Sequence, residues 1–197
     1  MVIGLTGGMG AGKSSVLIYL QQRYHAEIIE TDAIGRLAIE PGGGVYEPVR
    51  RLLGDACYLP DGRPDRPKIA AAVFQDVSLL AGLNGIVHPF VQRSVKEEIE
   101  AKGPDALCVI ESALLLESGL DRLCDRIWYI YADENARAQR IAASRGYSEE
   151  RIRRTMAVQK QDADFRAAAD EVIDNSGPFE KTACAIDKAL LSMEYKA

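Results

Sequence analysis

Histidine is nearly missing from this chain: of 197 residues only His25 and His88 carry an imidazole. The four cysteines (Cys57, Cys108, Cys124 and Cys184) are scattered, with no C-x-x-C pair and no nearby histidine. That pattern argues against a zinc site and reads as incidental thiols in a reducing cytosol. No stretch approaches the ~20 apolar residues of a membrane span. The apolar start at Met1 runs straight into a glycine-rich segment, which is not the pattern of a signal peptide. Basic runs are absent as well, and 24 Lys+Arg against 29 Asp+Glu leave a formal net charge of −5. Such a chain is a poor candidate for non-specific nucleic-acid binding, and a polyanionic substrate would need a local arginine and lysine cluster. There is no internal repeat and no low-complexity tract. What remains is the profile of a soluble, cytoplasmic globular protein, 47% hydrophobic and 27% charged. Its length suits one domain with room for an inserted subdomain, and a monomer is the expected state.

Glycine, by contrast, is concentrated at the start. In GLTGGMGAGKSS, residues 4–15, Gly7, Gly12, Lys13 and Ser14 fit the phosphate-loop pattern G-x-x-x-x-G-K-[ST]. A polyphosphate is held by several backbone N–H groups that point the same way, and glycine allows the positive φ values this demands. Gly8, Met9, Gly10, Ala11, Gly12, Lys13, Ser14 and Ser15 are therefore the candidate nucleotide-binding residues. Lys13 would reach the β- and γ-phosphates, and the Ser14 hydroxyl would ligate Mg²⁺. The flanks agree. Met1 to Leu5 is an apolar run fit for a buried strand, while Val16, Leu17, Leu20 and Tyr24 recur at helical spacing. A strand–loop–helix unit of this kind aims the positive end of the helix at an anion, so the segment implies a bound nucleoside triphosphate.

The later chain alternates short apolar strands with helices. His25 to Thr31 predicts a second strand, followed at once by Asp32. An acid at the carboxyl end of a strand is placed to take the proton of a substrate hydroxyl, or, as a second reading, to cap the next helix. Glu40 to Tyr46 is a glycine-rich loop, and Tyr46 to Leu53 a short helix ending at Gly54. Residues 58–68 form a turn-rich link around Asp61-Gly62. Ile69 to Phe74 and Val77 to Val87 read as short helices, His88-Pro89 as a break, and Val91 to Lys102 as a longer helix. Roughly seventy residues thus separate strands two and three, far more than an ordinary crossover needs. The excess, 33–104, reads as a helical insert walling a substrate. Residues 1–32 and 105–197 form the nucleotide-binding core.

Asp105 to Glu111 predicts the third strand, and its terminal Glu111 stands where a carboxylate of the Mg²⁺ shell belongs. Glu117 follows on what reads as a surface helix. Arg126 to Tyr131 predicts the fourth strand, with Asp133 as the N-cap of the next helix. Then comes the basic concentration: Arg137, Arg140, Arg145, Arg151, Arg153 and Arg154, interrupted by Gly146. Arginines in this number suit either a lid over a triphosphate, about 137–160, or a solvated helix face, and Arg140 is the preferred functional candidate. Ala169 to Asp174 predicts a fifth strand ending in the turn Asn175-Ser176-Gly177-Pro178, and Phe179 to Tyr195 a closing helix. The expected fold class is α/β: three layers, α/β/α, around a five-stranded parallel sheet, with a helical insert and a helical lid.

Taken together, GLTGGMGAGKSSV, Thr31-Asp32, RLAIEPGGGVY, LPDGRPDRPKIAAAVFQD, LNGIVHPFV, ALLLESGLD and ADEVIDNSG give the chain a nearly end-to-end resemblance to the dephospho-CoA kinase family of P-loop kinases. The resemblance implies transfer of the ATP γ-phosphoryl to the ribose 3′-hydroxyl of dephospho-CoA, the last step of coenzyme A synthesis. It implies catalytic roles for Asp32, Lys13 and Arg140, with Asp32 as general base and Arg140 in the lid. Mg²⁺ would lie on Ser14, adenine at the Asn175 turn, and the CoA substrate against the insert that contains His88-Pro89. The chain departs from the family pattern at Glu111-Ser112-Ala113, where Asp-x-Pro is frequent, and at Glu30-Thr31-Asp32, where D-A-D is. Gln159 matches a family glutamine, with an unusual Lys160 beside it. Another small-molecule or nucleoside monophosphate kinase, or a nucleotide-operated switch, are the competing readings of the same loop.

Overall fold

The computed structural model of the chain describes residues 1–145 and 162–193. Five strands form one sheet in the order β2-β3-β1-β4-β5: β1 (Val2–Thr6), β2 (Glu27–Glu30), β3 (Cys108–Glu111), β4 (Arg126–Tyr131) and β5 (Glu171–Asp174). β1 is central. It runs parallel to β3, with Leu5 opposite Glu111, and parallel to β4, with Thr6 opposite Tyr129. β4 runs parallel to β5, with Tyr131 opposite Asp174. Strands buried on both faces need apolar side chains in both alternating sets, and β4 shows this directly. Trp128 and Ile130 enter the core cluster built with α1 (Lys13–Tyr24) and α8 (Phe179–Ser192). On the opposite face Tyr129 stacks on Phe165 of α7 (Asp162–Ala168), ring centroids 4.9 Å apart.

The chain divides into two compact units, Met1–Ile29 with Ala101–Ala197, and Glu30–Glu100. The first holds the sheet core, where Ile3, Leu5, Val109, Trp128, Ile130 and Ile173 are fully buried. In the same unit α1 is tied to α8 by polar contacts, since the hydroxyls of Tyr19 and Tyr24 both donate to Asp187 Oδ1 at 2.7 Å. The second unit has its own small cores. Ala38, Val45 and Val49 pack with Leu83, Ile86, Val87 and Phe90, and Tyr46, Cys57, Tyr58 and Ile69 form a second cluster. Its helices are α2 (Thr31–Ala38), α3 (Tyr46–Leu53), α4 (Arg66–Gln75) and most of α5 (Val77–Lys102). Among the described residues no helix is long and apolar enough to cross a membrane.

Several expectations hold to the residue: α3 spans Tyr46–Leu53 with Gly54 beyond it at φ 78°, and β4 spans Arg126–Tyr131. Others need correction. His88-Pro89 is not a break, because α5 is one helix of 26 residues with Pro89 inside it. A proline in a helix interior costs about 3 kcal/mol through its missing donor and its clash with the preceding turn. Here Ile86, Val87 and Phe90, on both sides of the proline, pack into the same apolar cluster, which holds the turns in line. Strand β2 stops at Glu30, so Thr31 already belongs to α2. The segment carrying Glu117 is a run of turns followed by a 3-10 turn at Leu120–Leu123, not a helix, and Glu117 is exposed. Of the basic cluster, Arg137, Arg140 and Arg145 lie on α6 (Glu134–Arg145). Gly146, Arg151, Arg153, Arg154, Gln159 and Lys160 lie outside the described residues.

The thiols give a direct check of these burial patterns. Cys57 and Cys108 are buried, while Cys184 on α8 is exposed. Burial, with Asp121 and Asp125 adding repulsion, pushes the Cys124 thiol up to about 12. Thiolate is the reactive form. An aromatic disulfide reagent near pH ~8 is therefore expected to titrate about one fast thiol in the native protein, and Cys184→Ser is expected to remove it. Rapid reaction of all the thiols would contradict this packing.

Candidate nucleotide site

β1 ends at Thr6, and the glycine loop then crosses to α1, which begins at Lys13. Gly12 occupies the N-cap position in the left-handed region (φ 87°, ψ 29°), and no side chain caps the helix. The first turn of α1 contains no acidic residue. The first N–H groups of a helix have no intrahelical acceptor, and its N-terminus carries a partial positive charge. This end of α1 therefore keeps both its donors and its dipole for an anion. Gly12 is required for a second reason besides its φ. A Cβ at this position would run into the Asn175 side-chain nitrogen.

Lys13 sits inside the loop it belongs to. Its Nζ donates to the Gly7 carbonyl at 3.0 Å and lies 3.4 Å from Glu111 Oε1 at the end of β3. Both side chains are mostly shielded, 16% and 18% exposed. The ammonium is thus held at the mouth of the loop by a carbonyl and a carboxylate. Ser14 and Ser15, in the first turn of α1, are exposed. The sequence placed Glu111 near a metal; the structure adds its ion pair with Lys13, which the parallel register of β1 and β3 brings about.

The loop's carbonyls are covered from outside. Met9 O accepts from Arg137 Nε at 2.9 Å, and Ala11 O accepts from Asn175 Nδ2 at 2.8 Å. Arg140 Nη1 reaches Gly10 O at 3.5 Å and Ala11 O at 3.4 Å, while its Nη2 donates to Asn175 O at 2.8 Å. Gly8 O accepts from Ala11 N at 3.1 Å. Asn175, 3% exposed, also accepts from Thr182 Oγ1 on α8 at 3.0 Å. Its side chain is accordingly used within the protein. The turn it opens is knitted by Ser176, whose N–H and hydroxyl both bond Asp174 Oδ1, at 2.9 and 2.6 Å. Asp133 caps α6 as the sequence predicts, Oδ1 accepting from Ala136 N at 2.8 Å.

Of the sequence-predicted residues, the structure brings Gly8 to Ser15, Lys13, Arg140 and Asn175 together in the first unit. Asp32 belongs to the second. It lies in the first turn of α2 and is exposed, and Glu30 rather than Asp32 is the N-cap residue. The capping reading of Asp32 is thereby set aside. Among the described residues its carboxylate has no hydrogen-bond or ion-pair partner; only its backbone carbonyl is used, by Arg36 Nε at 3.0 Å. Sequence reasoning named Arg137 only as one of the basic cluster, and missed Thr182. For Arg137 a signal was available, because it stands three residues before Arg140 and so shares a helix face with it.

Gly12→Ala forces a side chain into the left-handed region and against Asn175 at once. Such strain costs ~1–3 kcal/mol, so triphosphate affinity is expected to fall about ten- to a hundredfold in titration calorimetry. Helix content by circular dichroism is expected to stay unchanged. Unaltered affinity would show that the loop does not depend on this geometry.

Comparison with known proteins gives this site a family. The family model described as Dephospho-CoA kinase matches residues 1–181. A dephospho-CoA kinase from Leifsonia xyli is 38% identical over 189 residues, which cover 94% of this chain and 95% of that protein. Among solved structures, TT1252 from Thermus thermophilus is similar at a TM-score of 0.86 and 28% identity, covering 100% of this chain and 98% of that one. A dephospho-CoA kinase from Campylobacter jejuni shares the fold at a TM-score of 0.70 and 18% identity, covering 98% and 96%. With a family model spanning nearly its whole length, the chain belongs to the dephospho-CoA kinase family.

Proposed function

We propose that the protein transfers the γ-phosphoryl of ATP to the 3′-hydroxyl of dephospho-CoA, giving coenzyme A and ADP. The observation that carries this reading is the donor site itself: an uncapped helix N-terminus with Lys13 held at its mouth, in a chain of this family. Phosphoryl transfer asks little covalent chemistry of a protein and much positioning and charge neutralisation. Lys13 and the loop N–H groups take the phosphates. Glu111 orients Lys13 until they arrive. Asp32 accepts the proton of the acceptor hydroxyl, a role supported by its exposed carboxylate and by its match to the family motif. The second unit, close to the 33–104 insert read from sequence, supplies the acceptor-binding surface. The Asn175 turn meets the adenine through its backbone, since the amide of its side chain is bonded to the loop. The setting is the cytoplasm, a reading supported by the scattered thiols.

The residues present also fit Mg²⁺. Ser14 offers a hydroxyl and Glu111 a carboxylate, hard oxygen donors of the type this ion takes. Among the described residues there is no cluster of three or more His, Cys, Asp or Glu able to hold a metal, so substrate phosphates and water would complete the shell. The ion would supply charge neutralisation at the phosphates.

Three measurements check this reading. Asp32→Asn is expected to lower turnover by ~10²–10⁴ while ATP affinity survives; turnover near wild type would remove Asp32 from the chemistry. In an acceptor screen, dephospho-CoA is expected to be phosphorylated far faster than nucleoside monophosphates or shikimate, and the opposite ranking would overturn the assignment. Chelation of divalent ions is expected to abolish transfer and added Mg²⁺ to restore it, with Ser14→Ala needing more of the ion. Full activity in chelator would exclude the metal role.

A further inference from the structure

A trans peptide unit carries the carbonyl of one residue and the N–H of the next on opposite sides of one rigid plane. Whatever fixes the carbonyl therefore aims the following N–H. Arg137 Nε holds the Met9 carbonyl at 2.9 Å, which sends the Gly10 N–H the other way. Asn175 Nδ2 holds the Ala11 carbonyl at 2.8 Å, which does the same for the Gly12 N–H. The backbone of α6 comes equally close: a Cβ on Gly10 would lie 2.7 Å from the Arg137 carbonyl and 3.0 Å from Ile141 Cγ1. The helix is thus the back wall of the loop.

We propose that Arg137 is a positioning residue of the phosphate loop, acting with Asn175 to hold the loop's N–H groups in their anion-binding orientation before the nucleotide arrives. Arg137 does so through its Nε–H bond to an uncharged carbonyl, so the role needs that hydrogen bond and no contact between the guanidinium charge and the phosphate. Its work is to remove the ordering cost that a free glycine loop would add to binding. Gly10 and Gly12 make the loop deformable enough to take this shape, and Arg137 and Asn175 keep it there. The inference rests on the loop being a triphosphate site and is independent of which acceptor the enzyme uses.

The side chains of glutamine and methionine separate the donor from the charge. Glutamine places Nε2 as many bonds from its Cα as arginine places Nε, so Arg137→Gln can keep the bond to Met9 O without a charge. Methionine places a methyl there, so Arg137→Met keeps bulk and loses the bond. Inorganic tripolyphosphate, with Mg²⁺, and adenosine are titrated separately into wild type and both variants, with thermal midpoints measured in parallel. Arg137→Gln is expected to hold tripolyphosphate within about twofold of wild type, and Arg137→Met to weaken it about tenfold. Adenosine binding is expected to be unchanged in both. Equal losses for the two variants would mean that the charge acts on the phosphate directly. No loss in either, or a matching loss for adenosine, would also overturn the proposal. A wild-type protein that fails to bind tripolyphosphate would overturn the donor site itself, a result read without any variant. Asn175→Asp, isosteric but without the donor, is expected to repeat the methionine result, and retained affinity there would overturn the part given to Asn175.

Discussion

A peptide whose N–H faces an anion turns its carbonyl the other way, and this constraint shapes the first unit of the protein. Inward N–H groups oblige the carbonyls to point away from the ligand, into protein, where an unpaired carbonyl is expensive. The sheet and its helices supply the partners: Lys13 for Gly7, Ala11 N for Gly8, Arg137 for Met9, Arg140 for Gly10 and, with Asn175, for Ala11. Apart from Ala11 N, which lies in the loop itself, those donors come from α1, α6 and the turn after β5, which are far apart in sequence and meet at the carboxyl edge of a parallel sheet. The strand order places β1 between β3 and β4, so the loop leaving it is flanked by Glu111 on one side and the start of α6 on the other.

The arginines of α6 illustrate how far composition alone can be read. A basic cluster after an α/β strand invites a lid over phosphate, and arginine's planar fork is well suited to it. In the structure two of these arginines reach backbone oxygens: Arg140 bonds three carbonyls, and Arg137 Nε donates to a fourth. An uncharged acceptor satisfies a guanidinium as readily as an anion does, and sequence gives no means of telling which will be within reach. Asn175 follows the same logic. Its position at the end of β5 was legible, but its amide was not assignable, because the acceptor lies 164 residues earlier.

What was legible follows from local physics. The phosphate-loop spacing, the run RIWYIY and the cap at Asp133 each depend on neighbours within a few residues, and each is found where expected. The proline in α5 shows the limit. Pro89 is a helix breaker by local preference, but Val87 and Phe90 bury against Ala38, Val45 and Val49, and a contact of that size outweighs a lost hydrogen bond. The boundary between β2 and α2 shifted for a related reason. Thr31 is buried at the start of the helix, so Asp32 falls one residue inside it instead of capping it. The fold assigns no partner to the Asp32 carboxylate among the described residues, so packing gives no reason for an acid there.

The central place of β1 also bears on how the chain is made. It precedes both its neighbours in the chain, one of which ends at Glu111 and the other at Tyr131. Tyr19 and Tyr24, on the helix that follows it, have their shared acceptor at Asp187, 168 and 163 residues further on. A nascent chain emerging amino end first therefore exposes an apolar strand and an unpinned helix until those partners are made. Residues 30–100 meanwhile contain the partners of their own clusters. Long-range pairing of this kind is slow, and unpaired strands are prone to aggregate. The same arrangement that sets the nucleotide loop at the middle of the sheet makes its assembly wait for α8.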